Sequence, residues 1–198
     1  MIHKNSIFTM QDLCGKDFNH DQFVHCIFPK TGLRFINFLN CTFTMCDFSN
    51  CHFEIVSFVE CAFSESKLSY VNFSGVYIQA CDFSSALMSD CVFEQLKEGS
   101  TFEKKKIDLR DCKLNKTQLN GTVFILCDFR KVVFQEVNLE KAIFDKCNLI
   151  ETSFSGCTIK QTNFDSSKLG KTLLDIEGFL EYGASKGFSL SSNTSFAV

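Results

Sequence analysis

The sequence predicts a repeat solenoid, a chain wound into stacked coils around one continuous core. Two observations carry that expectation. In Cys41 to Phe63, CTFTMCDFSNCHFEIVSFVECAF, a Phe stands at 43, 48, 53, 58 and 63, and the residue two places before each is Cys, Cys, Cys, Val and Cys. A helix buries side chains about every 3.6 residues and a strand every second one, so a period of five belongs to a repeat architecture. Composition agrees: Phe is 24 of 198 residues, Trp is absent and Pro occurs once, as expected when one kind of slot is filled repeatedly.

Taken in order, residues 1 to 23 have the phase but not the fillers. Phe8 fits, whereas Gln11, Lys16 and Asp21 stand two places before Leu13, Phe18 and Phe23. This segment reads as an imperfect first coil or N-terminal cap, because a repeat array needs an atypical end to shield its last layer. From Leu13 to Phe93 every fifth residue is apolar, and from Cys26 onward its companion two places earlier is Cys, Thr, Ile, Val, Ser or Ala. A large and a small residue therefore both point inward. The residues between them, such as Asn37, Thr42, Asp47, His52, Ser57, Asn72 and Asp82, are expected at sharp corners.

The pattern breaks in EQLKEGSTFEKKK and resumes at Ile107 and Leu109, its phase moved by one residue. About 11 residues, 96 to 106, must loop out or replace one repeat imperfectly. The period then runs unbroken to Leu174. In DIEGFLEYGASK it changes: Ile176, Phe179, Leu180 and Gly183 are spaced as on one face of a helix, with Asp175 as N-cap and Gly187 as stop. The Ser-rich end is expected to be loose. The resulting division is a cap at 1–23, repeats at 24–95, a loop at 96–106, repeats at 107–174, and a helix with its tail at 175–198.

The blocks CDFSN (46–50), VNFSG (71–75), CDFSS (81–85), VNLEK (137–141), CNLIE (147–151) and TNFDS (162–166) resemble the pentapeptide repeat. That resemblance implies an all-β chain, a right-handed quadrilateral parallel β-helix with four repeats per coil, carrying one inserted loop and a short C-terminal α-helix. Residues i and i+20 then share a column, with Phe18, Phe38 and Phe58 in one and Phe23, Phe43, Phe63 and Phe83 in another. Coils paired by backbone hydrogen bonds lie ~4.8 Å apart.

Composition narrows the function. A net charge of −3 argues against direct nucleic-acid binding. Mean hydropathy is +0.03, no run approaches the ~20 apolar residues of a membrane span, and MIHKNSIFTMQDL has no signal pattern, so a cytoplasmic protein without membrane contact is expected. Of the twelve Cys, all but Cys14 occupy the small inward position, with Cys41, Cys61 and Cys81 in one column. Parallel thiols cannot wrap a tetrahedral metal and do not point at one another, so they read as buried small hydrophobes in a reducing compartment. His3, His20, His25 and His52 are scattered, and no phosphate-binding or zinc-protease motif occurs. No enzyme activity, metal or cofactor is expected.

The surface offers four candidate features. Phe35 and Ile55 share a corner column, with Leu39 and Val59 on the outward column beside it, forming one apolar patch. The loop presents Leu96, Lys97, Glu98, Phe102, Lys104, Lys105 and Lys106 as a partner-binding segment. Asp108 and Asp128, and Asp145 and Asp165, stack as short acidic columns, whereas Asp111, Lys131, Glu151 and Lys171 alternate in sign. Ile176, Phe179 and Leu180 are placed for a dimer contact.

The resemblance extends to the topoisomerase-protecting branch of the family, the Qnr-, MfpA- and McbG-like proteins. It implies a homodimer joined through the C-terminus that mimics duplex DNA, binds DNA gyrase or topoisomerase IV, and counters quinolones or peptide toxins. This chain departs from that branch in lacking a second, earlier loop and in having Lys and Arg among its acidic columns. The alternative is a scaffold or effector module for an unrelated protein partner.

Overall fold

The structure, a computed structural model, describes residues 1–30, 32–96 and 103–191. Every named strand pairing is parallel, and the register advances by 20 residues per coil: Phe23 faces Phe43, Phe38 faces Phe58, and Phe124 faces Phe144. Four repeats per coil place the side chains in four inward columns, as the five-residue period requires. The chain is a β-solenoid ending in a short helix.

Backbone hydrogen bonds run from coil to coil. The Ala62 amide donates to the Cys41 carbonyl at 3.0 Å, and the Phe43 amide donates to the Ala62 carbonyl at 2.7 Å. The residue between the small and the large inward side chains is therefore the pairing residue. It was expected at the corner, and the structure moves the corner to the two residues after the large one. There the second residue takes a left-handed conformation, as at Asn50 (φ 60°), Glu65 (φ 54°) and Ser85 (φ 63°). Where the next amide closes back on the large residue, as Cys51 does on Phe48 at 2.9 Å, the geometry is that of a type II turn. The Asp or Asn at the pairing position still promotes the bend. Asp47, Asn72 and Asp82 each accept from the amide two residues on, at 2.8–2.9 Å.

Columns of rings fill the interior. Phe23, Phe43, Phe63 and Phe83 stack at 4.8–4.9 Å between centroids, and Phe73, Phe93, Phe124, Phe144 and Phe164 at 4.4–5.2 Å. Each buried ring removes ~150–250 Å² from water, making these ladders the dominant favourable contribution.

The first coil is in register with the second, Ile2 facing Gln22. His3 takes the place of a Phe and stacks on Phe23 at 4.6 Å. The poor filler Asp21 is tolerated inside because the Met1 amine and His3 Nε2 each lie 3.1 Å from its Oδ1. A short helix, α1 (Met10–Leu13), replaces one face and buries Leu13. At the other end α2 (Ile176–Ser185) starts at Asp175, whose side chain accepts from the Gly178 amide at 2.8 Å. It stops at Gly187 (φ 84°), where the Phe188 amide reaches the Gly183 carbonyl at 3.0 Å. Tyr182 of α2 lies edge-on to Phe164, 6.0 Å between centroids. Among the described residues no helix is long and apolar enough to cross a membrane.

The register also decides the nature of the loop. Phe124 faces Phe93 and Lys113 faces Asp82, a step of 31 residues in place of 20. The excursion is therefore eleven residues added to a complete coil, with no repeat lost.

Candidate interaction surface

The corner column of Phe35 and Ile55 is real and exposed, at 52% and 65%. Both residues hold left-handed backbone, at φ 55° and 54°. That conformation favours Gly or Asn, and a ring or β-branched side chain there costs about 1–2 kcal/mol. Leu39 faces Val59 on the neighbouring outward column, Leu39 exposed and Val59 half-buried.

The column ends at Gly75. A Cβ built on this residue would lie 2.5 Å from the Phe53 carbonyl oxygen, so only glycine fits. The loop emerges one coil beyond, at the same corner. Gln95, buried, donates from Nε2 to the Val76 carbonyl at 2.6 Å; the Lys105 amide donates to the Gln95 carbonyl at 2.8 Å; and Leu96 bridges Lys104 in antiparallel fashion. The two ends of the loop are thus tied together beside the Gly75 gap. A groove of about 270 Å³ lies at this point, walled by Ile55, Tyr77, Leu96 and Lys105. Two features that are separate in the sequence, the apolar patch and the loop, meet there. Lys97, Glu98 and Phe102 lie outside the described residues; Lys104 pairs with Glu94 at 2.8 Å, and Lys106 is exposed.

The acidic columns are compensated. Asp108 and Asp128 do stack, but Arg110 reaches Asp108 at 2.5 Å and Arg130 reaches Asp128 at 2.7 Å. Hydrogen bonds from Arg110 hold the Asp108 carboxyl below its ordinary range. Asp165 is paired with Lys186, and Asp145 accepts from Ser166 at 2.9 Å. Neither column is a bare anionic stripe. Among the described residues no ion pair within 4.0 Å joins Asp111, Lys131, Glu151 and Lys171, so alternation alone does not make a ladder of bridges.

The C-terminal end is openly apolar. Ile176, Phe179 and Leu180 are exposed at 80%, 66% and 41%, and Leu169, Leu173, Phe188 and Leu190 join them. A cleft of about 480 Å³ opens between the last coil and α2, lined by Phe164, Leu173, Leu174, Phe179 and Tyr182.

Family models match two stretches, a pentapeptide repeat region at residues 98–174 and a run of eight pentapeptide repeats at 57–95, together more than half of the chain. The chain belongs to the pentapeptide-repeat family. No curated protein matches the sequence significantly. Among solved structures, a trypsin-treated form of QnrB1, a plasmid-mediated fluoroquinolone resistance protein, is similar at a TM-score of 0.55 and 17% identity, over 96% of this chain and 99% of that one. The pentapeptide repeat protein Rfr23 from the cyanobacterium Cyanothece 51142 matches at 0.39 and 12% identity, over 74% and 92%. The likeness to QnrB1 is one of fold.

The structure explains what the small inward position of the pentapeptide repeat selects. Where the position holds a donor instead of Val, Ile or Ala, the side chain can donate a hydrogen bond to the carbonyl of a large inward residue one coil earlier: Cys61 to Phe38 at 3.4 Å, Ser66 to Phe43 at 3.0 Å, Thr152 to Phe129 at 2.8 Å. Cys, Ser and Thr interchange because each offers one short donor. All twelve cysteines are free thiols, Cys14 among them half-buried and donating to the Gly32 carbonyl at 3.2 Å. Burial pushes Cys46 and Cys91 up to about 12, so they stay protonated and inert. Sequence reasoning missed Gly75, Tyr77 and Gln95 in the groove, and Leu169, Leu173, Phe188 and Leu190 at the C-terminal end. The signal for Gly75 was present in VNFSG: a glycine in the corner column above Phe35 and Ile55.

Proposed function

We propose that this chain is a non-catalytic interaction rod that binds DNA gyrase or topoisomerase IV and protects it from inhibitors such as quinolones or peptide toxins. One observation carries the reading: among the described residues the register steps by 31 in place of 20 at one level of the pentapeptide-repeat rod, an eleven-residue insertion beside the exposed apolar corner column. A rigid rod with one excursion presents a partner-binding loop without an ordering cost elsewhere. The likeness in fold to QnrB1, a fluoroquinolone resistance protein, over nearly the whole of both chains is in keeping with protection against quinolones. The apolar C-terminal end supplies the surface for a homodimer.

Charge compensation at Asp108 and Asp128 favours a second reading, an unrelated protein partner, because a DNA mimic relies on continuous negative potential. The two readings separate in a DNA gyrase supercoiling assay with a fluoroquinolone, titrating the intact protein and a variant lacking residues 96–106. Rescue of supercoiling that the deletion abolishes supports the topoisomerase reading. Absence of both rescue and inhibition at every concentration would discard it in favour of the unrelated partner.

A further inference from the structure

We infer that the groove at Gly75 is a docking site for an extended, acidic segment of a partner protein that inserts one large apolar side chain. The inference rests on the reading of the chain as an interaction rod, and adds the chemistry of what the rod recognises.

The depression is built into the backbone. Glycine is enforced at 75 by the Phe53 carbonyl, and the Val56 amide, donating to the Gly75 carbonyl at 3.0 Å, holds the two coils together there. The opposite wall is fixed by the bonds of Gln95 to Val76 and of Lys105 to Gln95. A preformed hollow binds without an ordering penalty on the rod's side. Ile55, Tyr77 and Leu96, at 65%, 52% and 37% exposure, give it an apolar side, and Asn37, Ser57 and Ser74 line the remainder with short polar groups. A volume of about 270 Å³ accommodates a large side chain and little more.

Charge sets the flanks of the occupant. A second hollow of about 310 Å³ shares Tyr77, Gln95 and Lys105 with the first and continues past Lys106. A segment leaving the first hollow in that direction runs along two exposed lysines; of the two acids on that hollow Asp108 is already bound by Arg110, which leaves Asp111 against two amines. An extended chain advances ~3.3 Å per residue, so acidic residues two to three places beyond the anchor fall beside these amines. A basic segment on the same path would meet like charge.

The test is a selection of random dodecapeptides displayed on phage against the full-length protein, followed by fluorescence polarisation with the selected peptides. Expected winners carry one large apolar residue with Asp or Glu two to three places to one side of it. Their affinity falls roughly tenfold or more for Ile55→Glu and for Lys105→Glu, and stays unchanged for Lys160→Glu, an exposed position outside the groove and outside the C-terminal end. Peptides with the acids changed to Lys regain binding to Lys105→Glu. No winners, winners lacking either feature, or affinities indifferent to both groove variants overturn the inference. The same variants in the supercoiling assay keep the two readings apart. Peptide binding lost while gyrase protection persists leaves the docking site standing and removes the topoisomerase as its occupant. Protection lost without any peptide selected keeps the rod reading and removes the acidic segment.

Discussion

A hydroxyl at the small inward position has a role that a methyl group of equal size does not. Thr152 is fully buried and its Oγ1 donates to the Phe129 carbonyl at 2.8 Å; that carbonyl also accepts from the Val132 amide at 2.9 Å. Thr152→Val keeps the volume and removes one of the two donors. Because the carbonyl retains a partner, the cost is at the low end of the range for a lost buried hydrogen bond, about 1 kcal/mol, read from denaturant unfolding with an unchanged slope. The alternation of small and large residues was legible at this scale because burial forces it. The donor role and the left-handed corner were not, since residues as unlike as His25, Phe35, Ile55 and Lys131 all occupy that conformation. Stacking against adjacent coils overrides their intrinsic preference there.

Among the elements, the loop and α2 both depart from the repeat, as α1 does in the first coil, and the loop and α2 each make a prediction. Removing residues 96–106 joins CVFEQ to IDLRD in phase and restores a step of 20 residues between Phe93 and the ring above it. The deleted chain is expected to fold with stability equal to or slightly above that of the full chain, since a shorter connection costs less entropy to close, about 0.6 kcal/mol per halving of length. Loss of cooperative unfolding would mean that the loop holds the coils together.

For α2 the pH matters. The Gly178 and Gly156 amides, donating to Asp175, lower its carboxyl below the ordinary value of 3.8. A carboxyl lowered on folding contributes stability above its unfolded value and loses it as pH falls through the folded one. The helical circular dichroism signal should therefore persist on acidification to pH 3.8 and drop below it. Asp175→Ala should show a weaker signal than the parent above pH 3.8, no such acid step, and a difference that shrinks below it.

On the scale of the whole molecule, stacked rings dominate and surface charge does little, as exposed ion pairs contribute only about 0–1 kcal/mol each. The unbalanced feature is the apolar end around α2. Sedimentation equilibrium should find a dimer that Phe179→Glu converts to a monomer without loss of β-structure; a monomeric parent chain would remove the C-terminal contact from the proposal.

The sequence alone determined the period, the inward pairs, the eleven-residue size of the excursion and the capped terminal helix. Each of these follows from burial or from hydrogen bonds local in the chain. Tertiary structure decided that the excursion is an addition to a full coil, that arginines cancel Asp108 and Asp128, and that the two ends of the loop are tied together beside Gly75 and Ile55. Those outcomes depend on which side chains the 20-residue and 31-residue steps bring within a few ångströms. Contacts of that kind are a property of stacking, and the linear spacing that sets the stack does not by itself say where each charge or gap comes to rest.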